Sequence, residues 1–471
     1  MKLFKVLPFI IGFICPLYLA AQTFQQNDEK PIRLQFPLIE YPYLSYASQT
    51  VSAPDEPVFT DYLKMFANPS MSQSLALSND LYLTTHYGIK RLFHEQDTFK
   101  RILFSSLTAA GADLLLLYAP LGNGWLHEEY HRSVMTLFYI NSFNDMNTFP
   151  IGKRTVSVNS IDDAELASMK LHSNPDFVRL MSAGIEAQYD QIQEMQKTNF
   201  YNDQDLPNLS LYWISTVNSI FYVNSCADSS ANQLTDEIML EEGSNTEVRD
   251  FTGLDLAAWT YDLFNPDEPY AERGIHPSGV GIKRYIKPAD LTQEQLDYLK
   301  KQGGLQFLNL LSPALYSFYR IRLRSDSSGT YYGNFAIRHI LTSFGSDIST
   351  NIMLQTPLRN FFFAYHLYQN YNHSFHGLEI EVIDEQIVVK NKTLLLSPGL
   401  MIWSQPEDQS FTTSKSAIGG LATLTANYPI TRALYFQLSM TAKTPGWAMG
   451  NMYLDANYTV SSGIALQFGN D

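Results

Sequence analysis

Two periodicities divide this chain. From about Asn79 the apolar positions recur every three to four residues, and beyond about Ser325 they recur every second residue. The first half therefore reads as helices. Residues 102–121 form an apolar run about long enough to span a bilayer, with Asp113 inside it, and read as a buried helix beside its successor. That successor, 124–141, follows Pro120 and the turn Gly122-Asn123-Gly124, with Asn123 placed to cap it. A strand at 154–158 and a ten-residue helix opened by Asp162-Asp163 come next. A better signalled helix follows. Asn174 is its expected cap, Pro175 its first position, and Phe177, Met181, Gly184, Ile185, Gln188, Ile192 and Met195 its inner stripe to about Lys197. Further helices are expected at 209–223, 251–264, 292–301 and 305–324, with the acidic stretch 226–250 as a solvated loop.

The second half reads as strands. In Leu378-Glu-Ile-Glu-Val-Ile383 apolar and charged residues alternate, and in Leu434-Tyr-Phe-Gln-Leu-Ser-Met-Thr-Ala442 every second residue is apolar. Turn signals divide the region into about eight strands, a number that suits a small up-and-down membrane barrel. A soluble sandwich or a lipocalin-like barrel alternates in the same way. Outer-membrane barrels often end on an aromatic residue, whereas here Phe468 is followed by Gly-Asn-Asp. The expected fold is α+β: an extended arm over 22–78, a mainly helical domain over 79–325 and an antiparallel barrel of about eight strands over 326–471.

Composition adds a compartment. Lys2 and Lys5 precede an apolar stretch from Val6 to Leu19, and Ala20-Ala21 offers a cleavage site, so residues 1–21 read as a secretory signal peptide. Phe13-Ile14-Cys15 lacks the small residues of a lipoprotein site. Beyond the leader Cys226 stands alone, which excludes an internal disulfide. A net charge of −15 without a basic run argues against nucleic acid as partner. The 29 Tyr and 29 Phe suit aromatic girdles at an outer membrane as well as large cores.

The chemistry is concentrated at His127-Glu128-Glu129-Tyr130-His131, a match to H-E-x-x-H. On a helix, residues four apart share a face, so His127 and His131 can hold one zinc ion between them. Glu128 stands where a carboxylate can take a proton from water at the metal. A zinc site of this kind needs a third protein ligand. Between His131 and about Ser225 one Glu is followed four residues later by Asp: Glu186 and Asp190. The bland alternative is two histidines on an amphipathic helix with no metal.

The pattern His127-Glu128-x-x-His131 followed by Glu186-x-x-x-Asp190 resembles the gluzincin metallopeptidases over about 65 residues. The resemblance implies a zincin-like helical domain, Zn2+ on His127, His131 and Glu186, Asp190 orienting a histidine, and Glu128 as the base that hydrolyses a peptide or protein substrate. His276, His172 and Tyr189 are candidates for the oxyanion donor, and that role stays open. Two other readings stand beside it. Intramembrane site-2-type zinc proteases use an Asp in Leu-Asp-Gly as third ligand; here Leu254-Asp255 is followed by Leu256. A non-enzymatic outer-membrane barrel protein would carry the histidines incidentally.

Overall fold

The computed structural model describes residues 31–50, 67–148 and 156–469, and the expected leader, 1–21, lies outside them. Among the described residues there are ten α-helices: α1 Tyr43–Ala47, α2 Met71–Leu92, α3 Thr98–Leu116, α4 Asn123–Leu137, α5 Asp163–His172, α6 Asn174–Asn202, α7 Leu209–Ser225, α8 Ser230–Glu242, α9 Asp255–Phe264 and α10 Gln293–Leu305. The strands are β1 Ile32–Tyr41, the short pair β2 Phe143–Asn144 and β3 Val158–Asn159, then β4 Ile321–Asp326, β5 Gly329–Thr342, β6 Gly345–Gln355, β7 Asn360–Gln369, β8 Ser374–Ile383, β9 Glu385–Val389, β10 Lys392–Pro406, β11 Ser416–Pro429, β12 Leu434–Lys443 and β13 Asn457–Phe468.

The second half is the antiparallel sheet that the alternation predicts, but it has eleven strands and is not closed into a barrel. Its order is β1-β13-β12-β11-β10-β8-β7-β6-β5-β4, with β9 paired to β10 alone. The expected irregular arm supplies the edge strand β1, which runs antiparallel to β13 with Ile32 opposite Phe468. Its alternation is hidden in the sequence because Pro37 interrupts it and the register slips between Pro37 and Ile39. Closure fails at this edge because α2 occupies it. Both Asp80 carboxylate oxygens accept from the Gln35 N–H, at 3.0 and 2.9 Å, and Gln73 donates to the Pro37 carbonyl at 3.0 Å. Those backbone groups are satisfied by side chains instead of by another strand.

Most of the expected helices form, with shifted ends. The helix α6 is capped by Ser173, not Asn174, and runs on to Asn202, where Asp203 takes a left-handed conformation. The helix α4 starts from Gly122 without a side-chain cap. Asn123 instead donates to Gln191 at 2.9 Å and to Ser215 at 3.3 Å, tying α4 to α6 and α7. The expected helix at 305–324 is replaced by two short 3₁₀ turns and β4, because Pro313 cannot continue a helix. The stretch expected as a loop contains α8.

The helical and sheet halves do not keep separate cores. One cluster of buried side chains joins Trp125 and Tyr130 of α4 and Ile185 of α6 to Ile340, Tyr368 and Trp403 of the sheet. The sheet turns one face toward α6, and that face mixes these apolar side chains with polar ones. Arg338 donates to Gln196 at 2.7 Å, Asn351 to Gln193 at 2.6 Å, and Lys197 to Glu381 at 2.7 Å. The opposite face presents Phe335, Ile352, Leu378, Leu400, Ile402 and Phe436, all exposed. Packing against α6 fixes that helix, and α6 in turn positions one wall of the site.

Candidate metal centre

The site lies where α4, α6 and α9 meet. His127 and His131 stand one turn apart on α4, and each directs its Nε2 at the same oxygen, Asp255 Oδ2, at 3.2 and 3.5 Å. Asp255 is the first residue of α9, 128 residues after His127, and the positive end of that helix favours a carboxylate there. All three residues are buried, and one donor atom from each lies within 4.8 Å of the others. Two ligands bound at 2.0–2.1 Å in a tetrahedral site lie about 3.3 Å apart, a spacing that the two His–Asp255 separations match.

Helix α6 makes the space. A Cβ added at Gly184 would fall 2.3 Å from the Nε2 atoms of both histidines, so only a glycine admits the two rings there. One turn earlier, the Leu180 carbonyl lies 2.6 Å from His131 Nδ1. A carbonyl can only accept, so Nδ1 carries the proton and Nε2 presents its lone pair inward. That Nε2 is buried and makes no hydrogen bond, as a nitrogen awaiting a ligand would be. One turn later, the Gln188 amide stands 3.4 Å from His127 Nδ1. Aromatic rings close the surround: Phe251 packs on His131 at 4.8 Å and Tyr222 on His127 at 5.8 Å. The Tyr222 hydroxyl also accepts from the Asp255 N–H at 3.3 Å.

The protonation states suit a cation. Burial pushes the His127 pKa down, which favours the neutral imidazole that a metal requires. Burial alone would raise Asp255, whereas His131 and His127 lower its carboxyl when their rings present a proton to it, a place that a cation would take. Burial raises Glu128 well above its ordinary value, and the carboxylates of Asp250 and Asp255 add to this. An ion on the histidine pair would bring positive charge to this group of acids. The residues present therefore fit a divalent metal, with two imidazoles and one carboxylate as its donors.

Glu186, expected as the third ligand, is not part of this group. The rotation of the helix gives the reason. Successive residues turn by about 100°, so with Gly184 facing the imidazoles Glu186 points to nearly the opposite side. There it accepts from Arg179 at 2.8 Å, from the Gly450 N–H at 2.8 Å and from Trp447 Nε1 at 3.4 Å. Asp190 follows on the same side and accepts from the Tyr130 hydroxyl at 2.7 Å; its partner is neither His127 nor His131. The Glu186-x-x-x-Asp190 pair thus joins α6 to the 447–450 loop and to α4, and the gluzincin likeness loses its third ligand. The oxyanion candidates also lie outside the His127–His131–Asp255 group. Tyr189 bonds to Gln306, His276 contacts Ser278 at 2.9 Å, and His172 is exposed beside Ser168. Comparison with protein-family models, with curated proteins and with solved structures returned no match to this chain.

Proposed function

We propose that the chain is an exported zinc-dependent hydrolase of peptide bonds, held at an outer membrane by its C-terminal sheet. One observation carries the catalytic part: two histidines and Asp255 converge on one buried point, with Glu128 beside them on the same helix. When bound, zinc would acidify water in the site to a pKa of about 7 and polarise a substrate carbonyl. The chain supplies the rest. His127, His131 and Asp255 would hold the ion, and Leu180 and Gly184 set the rings that would face it. Glu128 takes the proton of the attacking water and hands it to the leaving amine. Phe251 and Tyr222 limit water around the histidines, which strengthens each charge interaction inside.

A site-2-type reading has Asp255 in its favour, since the third ligand of that class is an Asp that follows Leu. Against it, Leu256 replaces the glycine of that motif, and no helix among the described residues is long and apolar enough to cross a membrane. The sheet is the better candidate for membrane contact. Along β8, Leu378 and Ile380 point outward and are exposed, while Glu379 and Glu381 point toward the polar interior. Water would favour the reverse, whereas lipid favours this arrangement. Substrates are peptides or proteins, and the acidic chain gives no basis for nucleic acid.

The expected result is loss of peptide-library hydrolysis in Glu128→Gln by at least about 100-fold, with metal content unchanged, because this substitution removes the base and leaves the ligands. Wild type that takes up zinc and hydrolyses no peptide would refute the catalytic reading and leave the metal site standing.

A further inference from the structure

The helix α3 is built the wrong way round for water. Its buried positions are Ile102, Ser105, Ala109 and Asp113, two of them polar. Asp113 accepts from His86 Nε2 at 2.7 Å and from the Ser210 hydroxyl, with no exposure at either His86 or Asp113 side chain. Its outward stripe is Phe104, Leu107, Leu114 and Leu115, continued by Tyr118; all are exposed, Leu115 to 79%. These positions recur at spacings of three, four and seven, so they form one face, and that face is apolar. A scattered exposed leucine needs no explanation, but a whole helical face of them does.

The end of α2 links this face to the edge of the sheet. Phe468 ends β13 and is exposed, and the next residue, Gly469, would touch the Tyr87 hydroxyl of α2 at 2.5 Å if it carried a Cβ. Arg91 lies over the Tyr87 ring at 5.8 Å, and Phe93 contacts Phe104 of α3 at 5.9 Å. Lys100 and Arg101 stand at the start of α3, and Lys90 and Arg91 in the last turn of α2, which precedes it in the chain. Lys100 pairs with the capping Asp97 at 2.9 Å and is explained within the helix, whereas Arg101 is a first-turn cation that opposes the helix dipole. In a chain of net charge −15, this local basic group at one end of an apolar face suits anionic lipid headgroups.

We infer that the outer face of α3 is a lipid-contacting surface, seated in the same bilayer as the outer face of the sheet, with Lys90, Arg91, Lys100 and Arg101 at the headgroup level. The inference rests on the membrane reading of the sheet and adds a helix to it. The helix lies along the bilayer surface and does not cross it, since no helix among the described residues is both long and apolar enough to do so. Its inner side stays on α2 and α7, where His86 and Ser210 hold Asp113.

The test uses single cysteines carrying an environment-sensitive fluorophore in a Cys15→Ser background; Cys226 is buried, which pushes its thiol up to about 12 and keeps it unlabelled. Leu115→Cys reports on α3, Ile402→Cys on the sheet, and Leu240→Cys, exposed on α8, serves as the aqueous control. The protein is reconstituted in phosphatidylcholine–phosphatidylglycerol vesicles with or without brominated acyl chains. The expected result is quenching by bromine at both Leu115→Cys and Ile402→Cys, at least about threefold over the Leu240→Cys control. Quenching at Ile402→Cys alone would overturn the role of α3 and leave the sheet in the membrane. Quenching at neither would overturn the membrane reading itself. Energy transfer between labels at Leu115→Cys without bromine quenching would show a second copy on this face, which also overturns the inference.

Discussion

Asp255→Ala should abolish stable metal binding, and Glu186→Ala should not. In the first variant the two imidazoles keep their places on α4, but the carboxylate that both face is gone, and a two-ligand site retains metal poorly. Asp255→Asn keeps the shape of the side chain and should lose most of the binding as well, because a neutral amide is a weak ligand for zinc. Glu186→Ala acts elsewhere. It leaves the Arg179 guanidinium buried without its carboxylate partner and costs about 3–5 kcal/mol of stability. Glu186→Gln, which still offers an oxygen to the Gly450 N–H, keeps more of the folded protein available for titration. Zinc titration against a chromophoric chelator separates the two outcomes. Tight zinc binding by Asp255→Ala, or its loss in folded Glu186→Gln, would return the third ligand to Glu186.

Gly184→Ala should lower zinc affinity by more than about 100-fold, as expected for a change that displaces both ligand rings together. The added methyl would sit 2.3 Å from both Nε2 atoms, well inside contact distance, so the rings must swing away or α6 must withdraw from α4. The rings are the more mobile partner, so the cost in stability should stay near 1–3 kcal/mol, typical of overpacking. Gly88→Ala is the control. It stands in the interior of α2 with nothing within 4 Å of an added Cβ, and should gain roughly 0.5–1 kcal/mol from helix propensity while leaving zinc binding untouched. Thermal unfolding beside zinc titration reads both quantities. Wild-type zinc affinity in Gly184→Ala would mean that α6 does not wall the site.

What the sequence revealed and what it hid follow from the range of each interaction. His127, Glu128 and His131 are fixed by spacing within one helix, and periodicity alone places them together. Asp255 was visible only as an Asp after Leu254, since nothing local ties the start of α9 to α4. Glu186 is plausible from the sequence because Glu and Asp stand at the right spacing, and spacing alone carries no phase on the helix. The phase was available: Gly184 is the small residue at the close approach, and Glu186 lies two positions from it. The sheet announced itself through Glu379 and Glu381 alternating with Leu378 and Ile380, yet the same alternation fits a closed barrel and an open sheet. Closure depends on what meets the edge of β1, and that is settled by Asp80 and Gln73 from a helix some forty residues away. Residues 305–324 show the opposite failure, where apolar content outweighed the warning of Pro313.

His127, His131 and Asp255 are expected to hold one metal ion. X-ray absorption at the zinc edge, on full-length protein loaded with zinc and freed of excess, tests it most directly. The expected result is one zinc per chain, multiple-scattering features from two imidazoles, and nearest neighbours of nitrogen and oxygen at about 2.0–2.1 Å without sulfur. Protein that retains no zinc, or whose bound zinc lacks imidazole scattering, would contradict it.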